Sequence, residues 1–177
     1  MKQQTGFTLL EMLIVITIVL IIAAITIPSL VESKIRANEA SAVASIHAIN
    51  VAEESYQAAY GGYAESLAKL GGAEPCTKSA ATACLLDQSL AGGVKSGYNF
   101  VAVGGNPANE ENTSYVVGAA PVAFDRTGKR LFCSTEKNVI RADPNTEGST
   151  TPPDGQRCAR FSIRAHSPSV HWPGATR

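Results

Sequence analysis

Residues 7–31 read FTLLEMLIVITIVLIIAAITIPSLV. From residue 12 to residue 27 there are sixteen residues without a charge, and only Thr17 and Thr26 among them are polar. As a helix, the whole stretch is long enough to cross a hydrocarbon core of roughly 30 Å. One carboxylate, Glu11, stands near its start, and Lys2 and the initiating amine precede it. That order of charges favours a cytoplasmic N-terminus and an exported remainder.

Size and charge bound the remainder of the chain. It has 177 residues, enough for one compact domain plus an extra element. Its formal net charge is zero, so no strong global field draws it to nucleic acid or acidic lipid. Residues 126–177 carry nine Lys/Arg against four Asp/Glu, a mild basic bias that reads as ordinary surface charge. Charged residues make up 17% of the chain and hydrophobic ones 45%, a skew due partly to the N-terminal run.

Three readings of that run compete. A cleaved secretory signal would need a basic start, a short apolar centre and a small-residue site, loosely met at Ala23-Ala24. Only one lysine precedes the run, however, and the apolar stretch continues past those alanines. A plain membrane anchor accounts for the length and leaves Glu11 unexplained, since an ionisable group near lipid is costly and usually has a partner.

The third reading turns on Gly6-Phe7-Thr8-Leu9-Leu10-Glu11, which resembles the processing site of type IV pilins and of the pseudopilins of type II secretion. The resemblance covers residues 1 to about 62. It implies a leader, 1–6, removed between Gly6 and Phe7 by a membrane aspartyl peptidase (the prepilin peptidase), with methylation of the new Phe7 amine. It implies that 7–31 is the transmembrane and assembly half of a long helix. Glu11 would there meet the amine of a neighbouring subunit, and Pro28 stands where such pilins commonly carry a helix-interrupting proline. A lone carboxylate in a low-dielectric bundle is expensive and a paired one much less so, which biases assembly toward one axial register. The implied partners are further copies in a helical filament, the peptidase, a membrane platform with its assembly ATPase, and lipid. The implied route runs from single-pass subunit of the cytoplasmic membrane to extracellular pilus or periplasmic pseudopilus.

Beyond Pro28, where a kink or local melting is expected, Val43, Ile46, Ile49, Ala52, Tyr56 and Tyr60 fall at helical spacing. Glu32, Lys34, Arg36, Glu39, Glu53 and Glu54 lie largely off that stripe, and His47 beside it reads as a surface or boundary residue. The amphipathic half, 32–62, ends at Gly61-Gly62, a C-cap signal. Residues 63–94 read as a connecting loop with helical turns within 64–70 and 79–90. Residues 95–165 read as an antiparallel sheet domain. Its expected strands are 98–103, 113–124 with a break near Gly118 and Pro121, 130–134, 138–141 and 157–164. A polar loop is expected at 104–112 and a turn at 125–128. The tail, 166–177, reads as frayed. The expected class is α+β, a long helix laid on a sheet in a pilin-like layout.

Four cysteines, Cys76, Cys84, Cys133 and Cys158, all lie beyond the membrane run, where an oxidising compartment favours disulfides. Three pairings are possible. The local one, Cys76–Cys84 with Cys133–Cys158, closes loops of about eight and twenty-five residues and needs the least topology. The second loop is similar to the C-terminal disulfide loop of many type IV pilins. Within it, Asp143, Asn145, Glu147 and Asp154 approach a calcium-loop spacing, with Glu at the fifth position and a short Asp at the last. A solvated Asn/Asp/Gly/Pro turn is the favoured reading, and no other cofactor is expected. No nucleophile elbow, metalloprotease, P-loop or dinucleotide signature is present. The expected role is that of a structural pilin with no catalysis and no nucleic-acid partner. A type II secretion pseudopilin is the main alternative, and a DNA- or surface-binding minor pilin or a membrane-tethered enzyme are lesser ones.

Overall fold

The computed structural model describes residues 7–73, 75–108 and 111–161. The chain is a long helix, α1 (Leu9–Tyr60), laid against a five-stranded sheet, with short elements joining and covering the two. At 52 residues α1 is about 78 Å long. The helix continues across position 28, so the local melting expected at Pro28 does not occur. One missing donor removes a single hydrogen bond, and a long helix retains the turns on either side. Gly61, at φ 89°, ends the helix by donating its N–H to the Gln57 carbonyl at 2.9 Å. That left-handed conformation is one a glycine adopts without steric cost.

The buried stripe of α1 begins only at Ile35. It runs through Ile35, Glu39, Ala42, Ile46, Ile49, Glu53 and Tyr56, in steps of four and three. Two glutamates expected largely off the apolar stripe, Glu39 and Glu53, therefore lie under the sheet, while Tyr60, expected within the stripe, is exposed. Hydrophobic periodicity misses the glutamates because they occupy core-facing positions and find donors on distant segments.

After α1 come α2 (Leu67–Leu70) and α3 (Gln88–Ala91), then β1 (Val94–Lys95), β2 (Tyr98–Ala108), β3 (Glu111–Pro121), β4 (Leu131–Thr135), β5 (Arg141–Asp143) and α4 (Gly155–Arg160). The five strands form an antiparallel meander in sequence order. Tyr98, Phe100, Ala102, Tyr115, Val117, Ala119 and Phe132 point toward α1 and build the main core. On the other face Ala120, Leu131, Cys133, Cys158 and Phe161 make a smaller core under α4. Strand β4 is thus buried on both sides.

Several expectations need correction. Residues 104–108 and 111–112 are strand rather than loop: β2 and β3 extend through Gly104 and Gly105, paired with Tyr115 and Ser114. A side chain at Gly104 would collide with Asn112 and with the Ala64 carbonyl, so the ladder there needs a glycine. β3 runs without a bulge through Gly118, which pairs with Val101. Gly118 is small because the Pro153 backbone lies against it. Residues 122–124 fall outside β3. The strand expected at 138–141 is β5, starting at Arg141, with Asn138 in a turn at φ 56°. Of the strand expected at 157–164, residues 157–160 lie instead in helix α4 and Phe161 is its extended C-cap. Asp154 caps that helix by accepting from Arg157 N at 2.8 Å, and Cys158 pins it to β4. The first edge strand, β1, begins at Val94, inside the segment expected to be loop. The tail expectation for 166–177 lies outside the described residues.

Candidate processing and assembly site

Gly6 lies outside the described residues. The site begins at Phe7, which is 72% exposed ahead of the helix. Thr8 is extended and serves as N-cap, its Oγ1 accepting from Glu11 N at 3.2 Å. Thr8-x-x-Glu11 is the spacing of a capping box, a signal in the sequence that the processing motif overshadows. A carboxylate in the first turn also complements the positive end of the helix dipole. Glu11 itself is exposed, and so are Leu9, Leu10, Met12 and Leu13 around it. An 18-residue apolar window of α1 has none of its residues buried, and the helix is long and apolar enough to cross a membrane. So large an apolar surface marks a membrane or interaction face.

The domain half of α1 carries the contrasting chemistry. Glu39 reaches the turn before β4, where its Oε1 accepts from Lys129 N at 3.0 Å and Arg130 N at 3.2 Å. Its Oε2 takes the Arg130 guanidinium at 2.7 and 2.8 Å. Asn38 adds a bond from Nδ2 to the Thr127 carbonyl at 2.8 Å. Glu53 has one bond, from Ala64 N at 2.9 Å, and burial pushes its carboxyl up to about 7 despite that bond. Sequence pattern singles out neither buried glutamate.

The cysteines are joined as Cys76–Cys84 and Cys133–Cys158, with Cα atoms 6.0 and 5.8 Å apart. The first bridge closes a loop whose backbone also returns to α2, with Ala83 N donating to the Lys69 carbonyl and Leu85 N to the Leu70 carbonyl, both at 2.8 Å. The second holds α4 on the outer face of β4.

The four calcium candidates are placed in separate tasks. Asp143 Oδ1 accepts from Asn145 N at 2.7 Å. The buried Asn145 amide both accepts from Ser149 N and donates to the Ser149 carbonyl, shaping the turn. Glu147 pairs with Arg157 at 3.3 Å, and Asp154 caps α4. Among the described residues no three His, Cys, Asp or Glu side chains gather as a metal site. Of the nine basic residues in the C-terminal third, Lys129, Arg130 and Arg157 each pair with a carboxylate.

Comparison with known proteins bears on this arrangement. Residues 1–27 match the prokaryotic N-terminal methylation motif. The type II secretion system core protein G of Vibrio cholerae is 40% identical over 57 residues, 32% of this chain and 39% of that protein. The type IV wide pilus major component PilA4 of Thermus thermophilus is 39% identical over 70 residues, 40% of this chain and 53% of that protein. A fimbrial protein of Pseudomonas aeruginosa is 44% identical over 55 residues, 31% of this chain and 36% of that protein. The likeness therefore spans about half or less of each relative. No solved structure matches the chain significantly. With a methylation motif at the head of an uncovered apolar helix and a sheet domain packed on that helix's far end, the chain is similar over its N-terminal part to subunits of type IV pili and to core protein G of type II secretion.

Proposed function

We propose that the protein is the structural subunit of a type IV pilus-like filament, matured by cleavage between Gly6 and Phe7 and methylation of Phe7. The observation that carries this reading is the half-covered helix. The sheet domain packs on α1 from Ile35 onward and leaves the preceding apolar turns bare, with Glu11 at their head. In the membrane those turns meet lipid, and in a filament they meet the same turns of other copies. There the amine of Phe7 would answer Glu11 of a neighbour, relieving the cost of an unpaired charge. The subunit would wait in the cytoplasmic membrane with its sheet domain exported, and a membrane platform with its ATPase would draw it into the polymer. The two disulfides suit an oxidising compartment.

A periplasmic pseudopilus of a type II secretion system is the second reading, favoured by the likeness to core protein G of Vibrio cholerae. Intact mass tests the common part of both readings. The mature chain should lack six residues and carry one added methyl group, whereas a start near Thr26 would point to ordinary signal peptidase and overturn both. Electron microscopy of cells at native expression separates them. Labelled surface filaments support the pilus, and filaments seen only on over-expression support the pseudopilus.

A further inference from the structure

Two oxygens in the helix–sheet interface have no donor. Among the described residues, Asn50 Oδ1 and Glu53 Oε1 are the buried side-chain atoms left without a hydrogen-bond partner. They stand three positions apart on α1, so adjacent turns present them on one face with Cβ atoms about 5–6 Å apart. Asn50 is 4% exposed and Glu53 fully buried. The other atom of each side chain is used. Asn50 Nδ2 donates to Ser134 Oγ, and Glu53 Oε2 accepts from Ala64 N, both at 2.9 Å.

No free cation stands by to neutralise Glu53 among the described residues. The phenols of Tyr56 on α1, Tyr63 in the connection after it and Tyr115 on β3 lie within its electrostatic reach. Around those phenols stand Glu54, Glu65 and Glu136, with Lys69, which pairs with Glu65 at 2.8 Å. Glu39, lower on the same stripe, has donors for both oxygens and a guanidinium. Glu53 has neither. A buried carboxylate with one backbone donor is poorly compensated, and two acceptors on neighbouring turns cannot satisfy each other.

We propose that Asn50 and Glu53 form a buried proton site. Glu53 is held as the neutral acid, and its Oε1–H is the donor that fills Asn50 Oδ1, directly or across one water. A single proton then satisfies both orphaned oxygens. The direction of the carboxyl's shift agrees, since burial raises it from 4.5 to about 7. Because the folded value lies above the unfolded one, the stabilisation is complete below the unfolded value and is lost as pH rises through the folded one. The exported domain would thus grip α1 more tightly in mildly acidic surroundings.

The test uses the full chain in detergent micelles. Infrared titration of the parent should show a carboxylic-acid carbonyl band that converts to carboxylate near pH 7, and Glu53→Gln should abolish it. In parallel, the parent's melting temperature should fall between about pH 5 and about pH 8 by more than that of Glu53→Gln, and the variant should be the more stable at the upper end. Other groups titrating in this window act alike in both proteins, so the difference isolates Glu53. The competing arrangement turns the Asn50 amide over, with Ser134 donating to Oδ1 and Nδ2 serving an ionised Glu53. In that case no acid band survives above the ordinary carboxylate range and the two pH profiles run parallel, which would overturn the proposal. If Glu53→Gln fails to fold, the same infrared titration of Glu11→Ala decides, since that change removes the other carboxyl set in apolar surroundings and leaves the domain intact: a band that persists supports the proposal and its loss overturns it.

Discussion

The two halves of α1 place opposite kinds of residue in contact with solvent. Before Ile35 the helix exposes Leu13, Ile16, Leu20 and Ile21, each at least half accessible. After it, the same helix buries Glu39, Ser45, Asn50 and Glu53 among Ile46, Ile49 and Tyr56. The polarity of a residue therefore says which partner a segment is made for, and only the packing says whether that partner belongs to the same chain. The first half leaves its apolar surface uncovered by the sheet domain. The second is written for one particular sheet, with carboxylates that act as fasteners.

Breaking the first half should abolish the filament and spare the fold. In Glu11→Ala, cleavage after Gly6 and membrane insertion should persist, since the helix becomes more apolar. Sheared filament should drop to a small fraction of parental yield while mature subunit accumulates in the membrane. Filaments at parental levels would mean that Glu11 is only the first-turn acid of the Thr8 cap, whose loss costs about 1 kcal/mol or less.

Breaking the second half should do the reverse, lowering the stability of the domain while the membrane half is untouched. Replacing Cys133 and Cys158 together by Ser opens a loop of 25 residues and should cost about 3.5 kcal/mol. Denaturant melts of the full chain in detergent would measure it. Opening the loop of eight residues at Cys76 and Cys84 should cost about 2.5 kcal/mol. Equal losses would show that native packing rather than loop closure sets the effect, and peptide mapping under non-reducing conditions checks the pairing itself.

Glu39→Ala strands two backbone N–H groups and the Arg130 guanidinium. A loss of about 2–3 kcal/mol is expected, below the upper range for buried pairs because Arg130 is 37% exposed. Adding Arg130→Met should recover part of it, because the uncompensated charge is then gone. No recovery would mean that the backbone bonds carry the contact.

The smallest effect belongs to Asp87. The bond from Lys95 at 2.8 Å, with Ser89 and the Leu90 N–H, holds its carboxyl well below the usual carboxylate range. A depressed carboxylate contributes stability above its unfolded value and loses it as pH falls through the folded one. Half exposed, Asp87 should cost roughly 0.5 kcal/mol when changed to Asn at neutral pH, with the difference from the parent vanishing in strong acid.

Much of this molecule is legible in the chain itself. The apolar run, the Gly61 cap and the processing motif depend on residues within a turn or two of one another, and local pattern carries such information faithfully. The α+β class is read from a helical period giving way to strand-like runs. Other features depend on distance. Glu39 and the N–H donors of Lys129 and Arg130 are ninety and ninety-one positions apart, so its charge looks like a solvated face until the sheet closes over it. Residues 104–108 read as polar loop because glycine and asparagine say little about pairing, and the partner strand supplies the register. The segment after Asp154 alternates like a strand, yet its first turn is helical because an aspartate caps it and a disulfide anchors it to β4. Asp143, Asn145, Glu147 and Asp154 have the spacing of a cation loop, and the fold gives each a different donor. Sequence determined the helix, its apolar first half and its methylation motif, because those features are written in neighbouring residues. Tertiary structure decided which charges are buried and what answers them, because a buried carboxylate is tolerable only where distant backbone or side-chain donors converge on it.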